Sequence, residues 1–233
     1  MSGYTDRDAV IVAAVRTPVG KGKANGALHD VLPADLLAHS LRAVVDRTGI
    51  DPVLIDDVIA GAVTQAGDQA ANIARNALLG AGFPESVPGT TVDRQCGSSQ
   101  QALHFAAQAV MSGTQHVVAV GGVQTMTRIP IASAMLAGQP LGFPDPFSGS
   151  TGWRARFGDA PVNQFYAAQR IADHWGIGRA DMEAYALESH RRALAAIAAG
   201  HFEREIVPLE GVSRDETPRA TTLAKMAELE PVG

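Results

Sequence analysis

Along the first 125 residues, short continuous apolar runs alternate with longer stretches whose apolar residues recur on one helical face. AVIVAAV (9–15) is an unbroken apolar run that closes on Arg16, Thr17 and Pro18, and it predicts a buried strand. PADLLAHSLRAVVDRTG (33–49) puts Leu36, Leu37, Leu41, Val44 and Val45 on one face, carries Asp35 in its first turn and stops at Gly49. That is a helix with its acid at the positive end and a glycine terminator. The same reasoning predicts strands over DDVIAGAV (56–63), GTTVDRQ (89–95) and HVVAVGGV (116–123), and helices over ANIARNALLGAG (71–82) and SSQQALHFAAQAVMSG (98–113). Alternation of apolar strands with helices points to an α/β domain, its helices covering a largely parallel sheet.

The alternation breaks at Gln124. Residues 124–163 are rich in Gly and Pro with little periodicity, which is long for a plain loop and points to a functional or mobile segment. Two helical patterns follow, PVNQFYAAQRIADHWG (161–176) and RADMEAYALESHRRALAAIAAG (179–200), the second capped by Asp181 and stopped by Gly200. The last thirty residues are polar and irregular, and no internal repeat is present.

Composition narrows the class. With 46% hydrophobic and 18% charged residues among 233, the chain reads as a soluble globular protein. A net charge of −5 without a stripe of Lys and Arg argues against nucleic acid or an anionic membrane as partner. No apolar run reaches about 18 residues, and the start lacks the basic residues and small-residue cleavage site of a signal peptide, so the expected location is cytoplasmic. One cysteine excludes an internal disulfide and a cysteine-based zinc site, and no metal site is expected.

That cysteine, Cys96, falls in DRQCGSSQQALHFAAQAV, between a predicted strand and a predicted helix. The plain reading is a small buried hydrophobe. The alternative is a nucleophile: Gly97 permits a sharp turn or close approach, the helix start stabilises a thiolate, and Arg94 adds positive charge. The helix after it is apolar nearly all round, which predicts an interior position with Cys96 at its mouth. A nucleophilic thiol needs a base and an oxyanion stabiliser, yet none of the seven histidines is well placed. His104 lies about 12 Å of helical rise beyond the cysteine; His116 opens a later strand, and His29, His39, His174, His190 and His201 fall in loops or on other helices.

At these residues a family becomes recognisable. VDRQCGSSQQAL resembles the nucleophile motif of the thiolases, the acetyl-CoA acetyltransferases and 3-ketoacyl-CoA thiolases. AVIVAAVRTPVGKGKANGAL is similar to their opening strand and first loop, GDQAANIARNALLGAGFP to their second helix, and VAVGGVQTMTRIP to the strand entering their loop domain. FEREIVPL and DETPRATTLAKMAELEPV resemble the close of that loop domain. The resemblance implies a thiolase-like α/β fold: a first β-α-β-α-β half over residues 1–123 and an inserted loop domain over 124–233. The family's second half would be absent, with its Gly-His-Pro histidine and second cysteine; neither occurs here.

The resemblance implies that Cys96 attacks an acyl-CoA thioester, with coenzyme A as substrate or product and no cofactor. It also suggests substrate contacts at Arg219, near the nucleotide of CoA, and at Asn163 and Gln164. There Pro161-Val162-Asn163-Gln164 replaces the His-Met-Gly of members acting on acetoacetyl-CoA, which fits bulkier acyl chains, steroid side chains included. Asp93 stands where asparagine, serine or threonine is usual. The expected partners are acyl-CoA, CoA, and a second copy or a chain carrying the other half. A non-catalytic acyl-CoA-binding or assembly subunit remains the alternative; an unrelated cysteine hydrolase is disfavoured by the lack of a base.

Overall fold

In a computed structural model, which describes residues 7–231, three predicted strands form one parallel sheet. They are β1 (Asp57–Gly61), β2 (Gly89–Val92) and β3 (Val118–Gly122), in the order β2-β1-β3. Strand alternation sorts the side chains into two layers. Val58 and Ala60 face the helices α1 (Pro33–Thr48) and α2 (Ile73–Gly80), packing with Leu37, Leu41, Ala77, Leu78 and Phe83. Ile59, Val118 and Val120 face the other way, onto Ala102 and Ala106 of α3 (Ser98–Ser112). Parallel strands joined through helices account for this layering. Helix ends follow the glycines: Gly49 and Gly113 adopt left-handed φ of 65° and 74° just past α1 and α3.

Two expectations fail here, for one reason. Residues 9–15 form no strand; Val10, Ile11 and Val12 are 66%, 73% and 80% exposed. An apolar, β-branched run favours extended backbone, but a strand also needs a partner ladder, and this sheet comprises β2, β1 and β3. Nor is α3 buried all round: Leu103, Phe105 and Met111 are exposed, while Ser98, Gln101, Ala102 and Ala106 are buried. Its apolar circumference asks for cover on two sides, and among the described residues one sheet covers one side.

The chain divides into two compact units. The first takes residues up to Ala134 together with Glu203–Glu216, and the second takes Met135–Phe202 with the residues from Thr217 onward. Within the first unit, the returning segment pins the opening loop. Arg16 donates to both Asp215 oxygens (2.7 and 3.0 Å) and to Glu205 Oε1 (2.7 Å), while Glu216 Oε2 accepts the Lys21 and Ala27 N–H groups (2.9 and 3.0 Å).

The Arg16 guanidinium holds the Asp215 carboxyl below its ordinary value, partly opposed by burial, and the Lys21 N–H does the same for Glu216. Depressed folded-state values mean that this stabilisation is fully present above the ordinary carboxylate range, about pH 4, and is lost as pH falls below it. Asp215→Asn should therefore flatten the acid limb of the melting-temperature profile between about pH 5 and pH 3. Parallel profiles for the two proteins would count against the staple.

A short helix, α4 (Ser133–Leu136), spans the division at Ala134, and the second unit is helical beyond it: α5 (Thr151–Phe157), α6 (Gln164–Trp175), α7 (Arg179–Ala198) and α8 (Leu223–Ala227). The stretch read as irregular before residue 163 contains α5, capped by Ser150, with the rings of Phe147, Trp153 and Phe157 packed against one another at tilted angles. Asp181 lies inside the first turn of α7 and accepts the Gly178 N–H at 2.9 Å, so the cap residue is Gly178. The polar tail hides α8, whose closing carbonyls at Met226, Ala227 and Leu229 all accept from Arg179 Nη2. No helix among the described residues is long and apolar enough to cross a membrane.

Candidate active site at the start of α3

Strands β1, β2 and β3 run parallel, so their carboxyl ends share one edge, where open α/β sheets bind ligands. Strand β2 stops at Val92 rather than continuing to residue 95. Asp93 Oδ1 accepts the Gln95 N–H at 2.7 Å, and Gln95 then takes a φ of 48°, left-handed and unusual for a side chain of its size. Two overlapping turns follow, Gly97 N–H to Arg94 O (3.1 Å) and Ser98 N–H to Gln95 O (3.0 Å), with Cys96 inside both. The thiol emerges exposed, not as a buried hydrophobe.

Gly97, expected to permit the sharp turn, has an ordinary φ of −90°; the turn is made at Gln95. The close approach belongs to two other glycines. A Cβ on Gly61, the last residue of β1, would lie 2.3 Å from Ser99 N, and one on Gly122, the last of β3, 1.8 Å from Ser99 Oγ. The first turn of α3 therefore rests directly on two strand ends, and that seat sets the height at which Cys96 is presented.

Beyond the same strand ends, the fully buried Gln69 side chain ties two loops together. Its Nε2 donates to Thr64 O (2.7 Å) and Gln124 Oε1 (3.3 Å), and its Oε1 accepts from Thr125 N (3.1 Å) and Oγ1 (3.3 Å). A buried amide spends its hydrogen-bonding capacity internally. Gln95, Ser98, Gly61, Gly122 and Gln69 were not singled out from sequence. Only the glycines closing apolar strand patterns carried a signal, since such glycines mark close backbone approach.

The other predicted residues lie in the second unit. Asn163 is the cap of α6, its Oδ1 accepting the Tyr166 N–H at 2.8 Å, and Gln164 opens that helix, exposed. Asn163 also lines a cleft of about 430 Å³ whose apolar wall includes Met135, Leu136, Phe147, Trp153 and Val162. Arg219 is exposed and donates its backbone N–H to His190 Nδ1 at 3.4 Å. Cys96 belongs to the first unit and these three to the second. The His29 ring Nδ1 is 3.3 Å from Thr127 Oγ1, and His116 donates its backbone N–H to Asp56 Oδ2. Among the described residues, no three His, Cys, Asp or Glu side chains gather as a metal site would require.

Comparison with known proteins bears on the whole chain. Residues 9–232 match the family model described as thiolase, N-terminal domain. A steroid 3-ketoacyl-CoA thiolase of Mycobacterium tuberculosis is 53% identical over 99% of this chain and 57% of its own length. A 3-ketoacyl-CoA thiolase of Pseudoalteromonas translucida is 38% identical over 96% of this chain and 57% of its own length. A beta-ketoadipyl-CoA thiolase of Pseudomonas aeruginosa is 39% identical, with 97% and 60% covered. The chain thus spans somewhat over half the length of the curated relatives it matches.

Proposed function

The chain belongs to the thiolase family, and from that we propose that it works as the nucleophile-bearing part of an acyl-CoA acyltransferase, with Cys96 as the residue that is acylated. The observation that carries this reading is the placement of an exposed thiol on a left-handed turn at the carboxyl edge of the sheet, within the matched thiolase domain. The Cys96 thiolate attacks the thioester carbonyl of an acyl-CoA. A carbon–sulfur bond forms to Sγ, the one to CoA breaks, and CoA leaves as a thiolate that takes up a proton. In the complete cycle the acyl group passes to CoA in thiolysis or to a second acyl-CoA in Claisen condensation. On this reading residues 1–123 are the catalytic half and 124–233 the loop domain, which contributes Arg219, Asn163 and Gln164 to CoA and acyl contacts.

Bulky acyl groups fit best. Support comes from the replaced His-Met-Gly segment, from the aromatic and aliphatic wall of the cleft beside Asn163, and from the steroid substrate in the name of one relative. A cytoplasmic location and association through the exposed faces of α3 and residues 9–15 complete the proposal. A monodisperse monomer in light scattering would remove the association.

The deciding experiment is intact mass after brief incubation with acetyl-CoA and longer acyl-CoAs, for wild type and Cys96→Ala. We expect a gain equal to the acyl group, largest with bulky chains and absent in the variant. The alternative is an acyl-CoA-binding or assembly subunit completed by another chain. It predicts retention of acyl-CoA without any adduct, and that result would overturn the first.

A further inference from the structure

Ser98 opens α3 next to the exposed thiol, yet it is only 3% exposed itself. A serine at the cap position offers its oxygen to N–H groups further along the helix, but the cap of α3 is Gly97 and Ser98 is its first helical residue. This one turns backwards. Its Oγ accepts the Arg94 N–H at 2.9 Å and donates to the Gln95 carbonyl at 2.5 Å. The hydroxyl therefore bridges the backbone on both sides of the Gln95 Cα, the one residue of the turn with positive φ, at 48°. A side chain of this kind relaxes to negative φ unless its surroundings over-determine it. Relaxation at Gln95 would swing the next residue, Cys96, about the chain.

We propose that Ser98 is the positioning residue of the site: its hydroxyl locks Gln95 in the left-handed conformation and thereby aims the Cys96 thiol outward from the start of α3. This rests on Cys96 being the nucleophile. The lock acts through two hydrogen bonds within the turn and is separate from the seat of α3 on Gly61 and Gly122.

The test uses the full chain and two readouts: the pH–rate profile of Cys96 alkylation by iodoacetamide under native conditions, and acylation by acetyl-CoA. Ser98→Ala should slow both by about tenfold, the scale of a modest misplacement of a reacting atom, and alter the alkylation profile. Ser112→Ala, which deletes a hydroxyl bonded to Ala109 O at the far end of the same helix, should alter neither. Adding Gln95→Gly to Ser98→Ala should recover most of the loss, because glycine takes positive φ without strain. Should Ser98→Ala not fold, Gln95→Val at the exposed neighbouring position should reproduce the slowing, since a β-branched residue resists positive φ. A Ser98→Ala protein that melts lower but keeps the wild-type alkylation profile would overturn the proposal, as would a double variant as slow as the single. If neither wild type nor any variant is acylated while alkylation follows the expected order, the acyltransferase reading fails and the positioning role stands. If wild type and Ser98→Ala are acylated equally fast, the reverse holds.

Discussion

Gly61→Ala is expected to unseat the first turn of α3 and to abolish acylation of Cys96. The added methyl would meet backbone, with Ser99 N at 2.3 Å, Ser98 C at 2.5 Å and Ser99 Cα at 2.7 Å. Backbone atoms cannot rotate out of the way, so either β1 or α3 must move as a unit. Overpacking a well-filled site costs about 1–3 kcal/mol, and a clash with main chain on both sides puts this one at or above the top of that range. Gly122→Ala gives an internal comparison. Its nearest obstacle, at 1.8 Å, is the Ser99 hydroxyl, which a χ1 rotation can withdraw, so we expect a smaller stability loss and a slowed rather than abolished acylation. Gly152, in α5 with nothing within 4 Å of a new Cβ, should accept alanine with no loss and about 0.4–1 kcal/mol of gain. Urea unfolding of the three variants, paired with intact-mass acylation, ranks them; a Gly61→Ala protein as stable and reactive as wild type would dismiss the seat.

How much of this was legible beforehand depends on the distance over which each feature is encoded. The helices α1, α2 and α3 are written locally, in apolar spacing and in the glycines that end them, and they appear within two residues of the predicted bounds. The parallel sheet followed from alternation alone. Residues 9–15 show the limit: their sequence specifies extended backbone but not the strand that should lie beside it. The same holds for α3, where an apolar circumference records a need for cover without saying what supplies it. At the site, the thiol and its strand-to-helix junction were readable, because a lone cysteine beside Gly97 draws attention. Its supports were not. Nothing local marks Gln95 as the residue with positive φ, and Gln69 reads as one polar residue among several in GDQAAN. Only the fold reveals that its side chain is buried between two loops.

That burial makes Gln69→Glu the variant with the most diagnostic pH dependence. Replacing Nε2 by a carboxylate oxygen keeps the two Thr125 contacts but turns those to Thr64 O and Gln124 Oε1 into encounters between acceptors. Each buried polar group left unsatisfied costs about 1–3 kcal/mol, and a buried charge more. The expected penalty at pH 8 is therefore at least about 3 kcal/mol. Burial raises the carboxyl group's folded-state value above its unfolded one. The sign follows from that: the penalty is full above the folded value and shrinks as pH falls through it toward the unfolded value, about 4.3. Once protonated, the acid can again donate to Thr64 O. Gln69→Met loses the same donors without gaining a titratable group, so its penalty should stay constant over the same range. The Arg16–Asp215 staple weakens equally in wild type and variants at low pH and cancels in the difference. Urea midpoints at pH 5 and pH 8 separate the outcomes. A Gln69→Glu penalty that is equal at both pH values would mean that water reaches the carboxylate. The loops beyond β1 and β3 would then open far more readily than a fully buried, four-bonded amide allows.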